Sequence, residues 1–280
     1  MGIDHEVDMA PWGSVQTFAD GASEVFAEYP CEGGARRVGM PLLAHRRCAE
    51  PMFSISNQIG YGGLMVNAKR PSPSAIRDAC GPSRWIDVVD PVVEKWSEQE
   101  GMVVFNLLRD IVARGGKLDL YIISPFRIIE SRLRDMVIQN HAGIGISFAE
   151  ARELTRRIGT VHKVQGREAE GVIFVLGHQG EAFKRAREWA GGRPNIANVA
   201  VTRAKEVLYI VGNRADWSEA GYFHAVEQAM DAFTRQHGVA ASDALAVPPA
   251  PIREEQAEAP APVLEDHESI FDLDLGLSLG

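Results

Sequence analysis

This 280-residue sequence predicts an α/β fold built on a mainly parallel sheet. Two observations carry the prediction. Between about residues 85 and 238, short β-rich runs alternate repeatedly with helical periodicities, and each run is apolar on both faces, as strands of a covered parallel sheet are. The candidate strands, in order, are Trp85–Val89, Leu118–Ser124, Arg157–Val161, Gly171–Leu176 and Val207–Val211. A helix is expected before the Gly115-Gly116 stop, where Val104, Leu107, Leu108 and Ile111 recur at i, i+3, i+4 and i+7. Phe223, Val226, Met230 and Phe233 define another before Gly238. Residues 1–84 are less regular, with Gly and Pro clusters, and read as a segment wrapping the same domain.

Composition bounds the function. With 45% hydrophobic and 24% charged residues the chain is globular, neither a disordered polymer nor a disulfide scaffold. Its longest apolar runs are about five residues, against the roughly 20 that a membrane-spanning helix needs. Acids at Asp4, Glu6 and Asp8 and no apolar stretch exclude a cleavable secretory signal, so a cytoplasmic protein is expected. Cys31, Cys48 and Cys80 match no metal-ligand spacing and read as reduced thiols, and no metal site is expected.

The net charge of −9 is concentrated in the tail. Residues 239–280 hold one base, Arg253, and nine acids, which leaves −1 for the preceding 238 residues. Whole-chain acidity therefore does not argue against a nucleic-acid partner for the folded part. The stretch 239–262 is rich in Ala, Pro and Glu and reads as a linker; the whole of 239–280 is expected to be a disordered acidic tail. At its end acids alternate with Ile, Phe and Leu from Glu268 to Leu279, a pattern that fits either docking on a protein partner or a frayed terminus.

Three segments carry candidate chemistry. Thr160-Val-His-Lys-Val-Gln-Gly-Arg-Glu168 lies between two predicted strands, and is expected at the carboxyl edge of the sheet, where open α/β folds bind ligands; a solvated loop is the plainer reading. In Asn198-Val-Ala-Val-Thr-Arg-Ala-Lys205, Arg203 and Lys205 are expected on a short helix leading into a strand. An arginine fixed there reaches a phosphate bidentately, although such an arginine alone is more often a surface residue. His45-Arg-Arg-Cys48 is a surface pair or an anion site, and composition leaves both open.

Taken together and in order, these segments resemble the second RecA-like domain of superfamily 1 helicases, in the branch that includes the nonsense-mediated-decay helicase and senataxin. TVHKVQGRE resembles motif V, and NVAVTRAKEVLYIVGN (198–213) resembles motif VI. Leu42–Tyr61 resembles the segment with the branch's first arginine, and Tyr121–Arg127 resembles motif IV. The wording HRRC..PMF..SN...Y is closest to large bacterial members. The likeness runs from about residue 12 to 217. It implies a RecA-like three-layer domain over 39–238, preceded by a connector at 1–38, of which Trp12–Asp20 resembles the segment after motif III.

The resemblance also implies roles. Arg47 and Arg203 would be arginine fingers toward the γ-phosphate of ATP held between two motor domains. Glu168 would accept a hydrogen bond from the ribose, with Gln165, Gly166 and Lys205 at the nucleotide. Ser124, Thr160, His162 and Lys163 would contact the backbone of single-stranded DNA or RNA, with Arg167 adding charge.

A P-loop requires G-x-x-x-x-G-K-[ST], yet the only Gly-Lys is Gly116-Lys117, followed by Leu118. No strand ends in an Asp-Glu pair. The expectation is therefore the carboxy-terminal half of a motor, inactive alone, using ATP and Mg²⁺ only when completed by a separately encoded amino-terminal helicase domain. A stand-alone nucleic-acid or protein interaction module and a truncated remnant are the alternatives. No membrane partner is expected.

Overall fold

The computed structural model describes residues 20–31, 34–39, 43–90 and 94–237. The proposed connector up to residue 19 and the acidic tail lie outside them, as do Leu42 and the Cys31 side chain.

All five predicted strands form, four of them within two residues of the sequence reading at each end and the last starting three residues earlier than expected. They are β5 (Arg84–Asp87), β6 (Leu120–Ser124), β7 (Ile158–Thr160), β8 (Ala169–Val175) and β9 (Ala204–Gly212). They make one sheet in the order β5-β9-β8-β6-β7, and every pairing is parallel. Before it come an antiparallel hairpin, β1 (Phe26–Cys31) with β2 (Gly34–Gly39), and a two-residue parallel pair, β3 (Ala44–His45) with β4 (Val66–Asn67).

The helices cover both faces. On one face lie α1 (Met52–Gly60), α8 (Pro194–Val201) and α10 (Phe223–Gln236). On the other lie α2 (Ala75–Cys80), α3 (Glu98–Ala113), α4 (Arg127–Gln139) and α6 (Phe148–Thr155). The short α5 (His141–Ile144) joins α4 to α6, α7 (Lys184–Gly191) follows β8, and α9 (Arg214–Ser218) follows β9.

Strand side chains alternate between two cores, as a pleat requires. Tyr121, Ile123, Val172, Phe174, Leu208 and Ile210 pack under α1, α8 and α10. Leu120, Ile122, Ile173, Val175, Val207 and Tyr209 pack against the opposite helices. Because both faces are covered, the strands are apolar throughout, which is why they were legible without alternation. The result is the three-layer α/β arrangement expected of a RecA-like domain.

Local signals set the helix starts. Ser74, Ser97 and Ser147 each accept a backbone N–H three residues on, and Glu150 returns the bond to Ser147 in a capping box. Residues 44–84 do more than wrap the domain: α1 is integral, with the Ser56 hydroxyl 2.8 Å from Asn198 Oδ1 on α8. Among the described residues no helix is long and apolar enough to cross a membrane.

Candidate functional site

Strand direction splits the 160–168 segment. Thr160 ends β7 beside Ser124 at the carboxyl edge of the sheet, whereas Glu168 immediately precedes β8 and lies at its amino edge. Seven residues of β8 separate these edges by roughly 20 Å. The expectation that the whole segment sits at the carboxyl edge is thus corrected: β7 and β8 flank β6 and run parallel to it, so β8 starts from the opposite end and the loop has to traverse the sheet.

At the amino edge four residues from three distant segments meet. Arg47 Nε is 3.2 Å from Glu168 Oε2, and Lys205 Nζ is 2.8 Å from Glu168 Oε1. Arg203 follows α8, and its Nη1 donates to the Arg167 carbonyl at 2.8 Å. Its Nε donates to Val199 O at 3.0 Å and its Nη2 to Thr202 Oγ1 at 3.1 Å. Arg203 is only 8% exposed, in contrast to Arg47 and Lys205. The expectation of a helix carrying both Arg203 and Lys205 is also corrected. Arg203 lies in the turn after α8 and Lys205 in β9, because the C-terminal turn of α8 closes at Thr202.

Backbone hydrogen bonds explain the convergence. Ala49 N–H donates to the Lys205 carbonyl at 2.8 Å, and Ala169 N–H donates to the Arg203 carbonyl at 3.0 Å. Cys48 N–H donates to His45 Nε2 at 2.9 Å, closing the turn that presents Arg47. Cys48 itself is fully buried and its thiol is pushed up to about 12 by burial, so it is a packing residue.

The electrostatics follow. The Lys205 hydrogen bond, with Arg47 and Arg203 adding, holds the Glu168 carboxyl below its ordinary value. Burial, then the Arg47 charge, lowers that of Arg203, which as an arginine remains a cation. Three cations around one carboxylate leave a positive excess suited to a polyphosphate. Gln165 and Gly166 are exposed in the same loop, and Gly166 has a positive φ of 83°.

The chain matches the AAA_12 family, described as an AAA domain, over residues 42–215. It belongs to that family. No curated protein matches it. Among solved structures, the crystal structure of Arterivirus nonstructural protein 10 (helicase) is similar at 16% identity and a TM-score of 0.27. That match covers 62% of this chain and 26% of the viral one, so the AAA domain spans about a quarter of that protein's length.

At the carboxyl edge of this AAA domain the expected strand-contacting residues differ from one another. Ser124 is fully buried, and its hydroxyl accepts the Phe126 N–H at 3.3 Å, capping the turn. Thr160 is also buried, with its carbonyl accepting the Lys163 N–H. His162 and Lys163 are exposed, and Lys163 Nζ lies 2.7 Å from Glu130 Oε1.

A buried polar network at this edge had no sequence signal beyond the two glycines that bracket it, Gly177 and Gly180. Glu100, fully buried on α3, accepts from Gly177 N–H and Gln179 Nε2, both at 2.8 Å. Arg187 of α7 donates to the carbonyls of His178 and Gly180 at 2.8 and 2.6 Å. Gly180 N–H donates to Asp216 at 2.6 Å, and Trp217 Nε1 donates to the Gly177 carbonyl at 2.9 Å. Among the described residues no cluster of His, Cys, Asp or Glu could hold a metal ion.

Glu100 gives this AAA domain a predicted pH response. Burial pushes its carboxyl up to about 7, from 4.5, against its two hydrogen bonds. A raised folded-state pKa means the folded chain holds the proton more tightly. The stabilisation is complete below 4.5 and is lost as pH rises through about 7, a change on the order of 3 kcal/mol. Thermal melts at a series of pH values between about 4.5 and 7, where stability should fall steadily, measure it. In Glu100→Gln the slope in that window is expected to vanish, and an unchanged slope refutes the assignment. Overall stability should also fall, by about 1–3 kcal/mol, because an amide nitrogen would then face a donor.

Proposed function

We propose that this AAA domain is the second motor half of an ATP-dependent superfamily 1 helicase, in the branch its motifs resemble. In this reading it supplies cationic side chains to a nucleotide held mainly by a P-loop-bearing partner domain. The observation that carries the reading is the meeting of Arg47, Glu168, Arg203 and Lys205, whose two arginines stand 156 residues apart in the sequence.

The side chains suit that task. ATP would bring a γ-phosphate whose transfer develops charge on its oxygens, which preorganised cations stabilise. Glu168 holds Arg47 and Lys205 at the surface, each by one carboxylate oxygen, so an arriving phosphate can exchange for it. Arg203 uses three of its five N–H groups on Val199, Arg167 and Thr202, which leaves two for a phosphate oxygen and fixes the guanidinium plane. Gln165, Gly166 and Glu168, on the loop that runs between the sheet edges, would couple nucleotide to strand. Contacts to single-stranded DNA or RNA would come from His162 and Lys163 at the other edge, with Ser124 and Thr160 shaping the surface from beneath. Mg²⁺ would be held with the nucleotide by the P-loop-bearing partner domain.

The test is nucleotide turnover by the purified chain alone and mixed with a P-loop-bearing first motor domain of a superfamily 1 helicase, with and without single-stranded nucleic acid. Turnover is expected only in the mixture and should rise with the strand. Turnover by the chain alone, or none in the mixture, refutes the split-motor reading.

A further inference from the structure

The carboxyl edge carries an exposed aromatic surface that the finger site does not use. Trp189 on α7 is 59% exposed, whereas Trp85, Trp96 and Trp217 are each below 10%. Its ring centroid lies 6.1 Å from that of Phe126, the half-buried residue before α4. Phe126 is itself held rigid from below. Its ring lies over His178, with centroids 3.7 Å apart and planes at 30°, and Trp217 flanks it at 6.2 Å.

His178 is clamped in turn. It is 5% exposed, stands edge-on to Phe183, and donates its backbone N–H to the Lys95 carbonyl at 3.1 Å. Burial, with Lys95 and Arg187 adding, drives its ring down to about 4, so it contributes a neutral floor and no charge. The Arg187 hydrogen bonds to the His178 and Gly180 carbonyls tie α7 to this floor, which fixes where Trp189 stands.

Charge flanks the rings. Arg127 follows Phe126 directly and is exposed, and Arg185 lies one turn before Trp189 on the same face of α7. Neither is in a salt bridge among the described residues. The neighbouring ions are Glu188, exposed beside Trp189, and Lys184, which pairs with Glu181 at 3.6 Å. A solvent-facing indole next to a fixed phenyl ring, with two exposed guanidinium groups at its margins, matches an unstacked base followed along its phosphates.

We infer that Trp189 and Phe126 form a base-stacking platform for single-stranded nucleic acid, with Arg127 and Arg185 as its phosphate contacts. The inference takes the class of ligand from the proposed strand-handling function, but places the contact on residues that reading did not include. Stacking on an aromatic face tolerates every base, so the platform holds the strand without reading its sequence.

The test is fluorescence-anisotropy titration of labelled oligo(dT) and oligo(U) with the full chain at low salt, with thermal melts of each variant as the folding control. The wild-type chain is expected to bind. Trp189→Ala should weaken binding about tenfold without changing the salt slope, and Trp189→Phe should restore most of it. Arg127→Ala and Arg185→Ala should each reduce the slope of log K against log salt by about 0.7. Absence of binding by the wild-type chain, binding unaffected by Trp189→Ala, or no recovery in Trp189→Phe overturns the platform. The titration needs neither nucleotide nor a second motor domain. A failure of the split motor to turn over ATP therefore leaves this result standing, and a failure here leaves the finger assignment intact.

Discussion

Arg203→Ala is expected to lower nucleotide turnover by the completed motor on the order of 10³-fold, the largest functional effect of any single substitution in this chain. The guanidinium is already aimed by the three hydrogen bonds it donates, to Val199 in α8, to Thr202 at the end of that helix and to Arg167 in the loop before β8, and its remaining N–H groups are where transition-state charge would be met. Arg203→Lys should not rescue, because an ammonium keeps the charge but lacks the planar fork that spans Val199, Arg167 and a phosphate together. The same bonds make Arg203 structural, so truncation should also cost about 1–3 kcal/mol by orphaning the Arg167 carbonyl and removing one of the two donors to that of Val199. Melting each variant beside the turnover assay separates the two effects. Equal loss of turnover in variants that melt like the wild type supports the finger, whereas turnover that merely tracks stability makes Arg203 a clasp.

Gly177→Ala should cost about 3 kcal/mol or more of stability, lowering the melting temperature by roughly 10 °C. Gly177 adopts a φ of +56°, which already costs an L-residue about 1–2 kcal/mol. A Cβ there would stand 2.5 Å from Ile129 Cδ1 and 2.7 Å from the Lys95 carbonyl. Ile129 can rotate, but the carbonyl belongs to the backbone that also holds His178, so relief requires moving the loop. Its N–H and carbonyl serve Glu100 and Trp217, so the displacement would spread through the buried network. A melt within a degree or two of wild type would refute this account.

The sequence by itself determined the sheet and much of the motif inventory. Covered parallel strands must be apolar on both faces, and serine caps and glycine stops act within a few residues, so strands, helix starts and fold class are written locally. The residue types at Arg47, Glu168 and Arg203 were visible too, through family resemblance. Only tertiary structure decided where they stand. The Ala49 to Lys205 hydrogen bond brings Arg47 to the finger turn, and the parallel sense of β7 and β8 sends Thr160 and Glu168 to opposite edges. Burial of Arg203 and Ser124, the Glu100 network and the exposure of Trp189 were equally illegible. Each depends on what packs against a residue from far along the chain, and no local pattern encodes that: an arginine in a polar run reads the same whether solvent or three backbone and hydroxyl oxygens surround it.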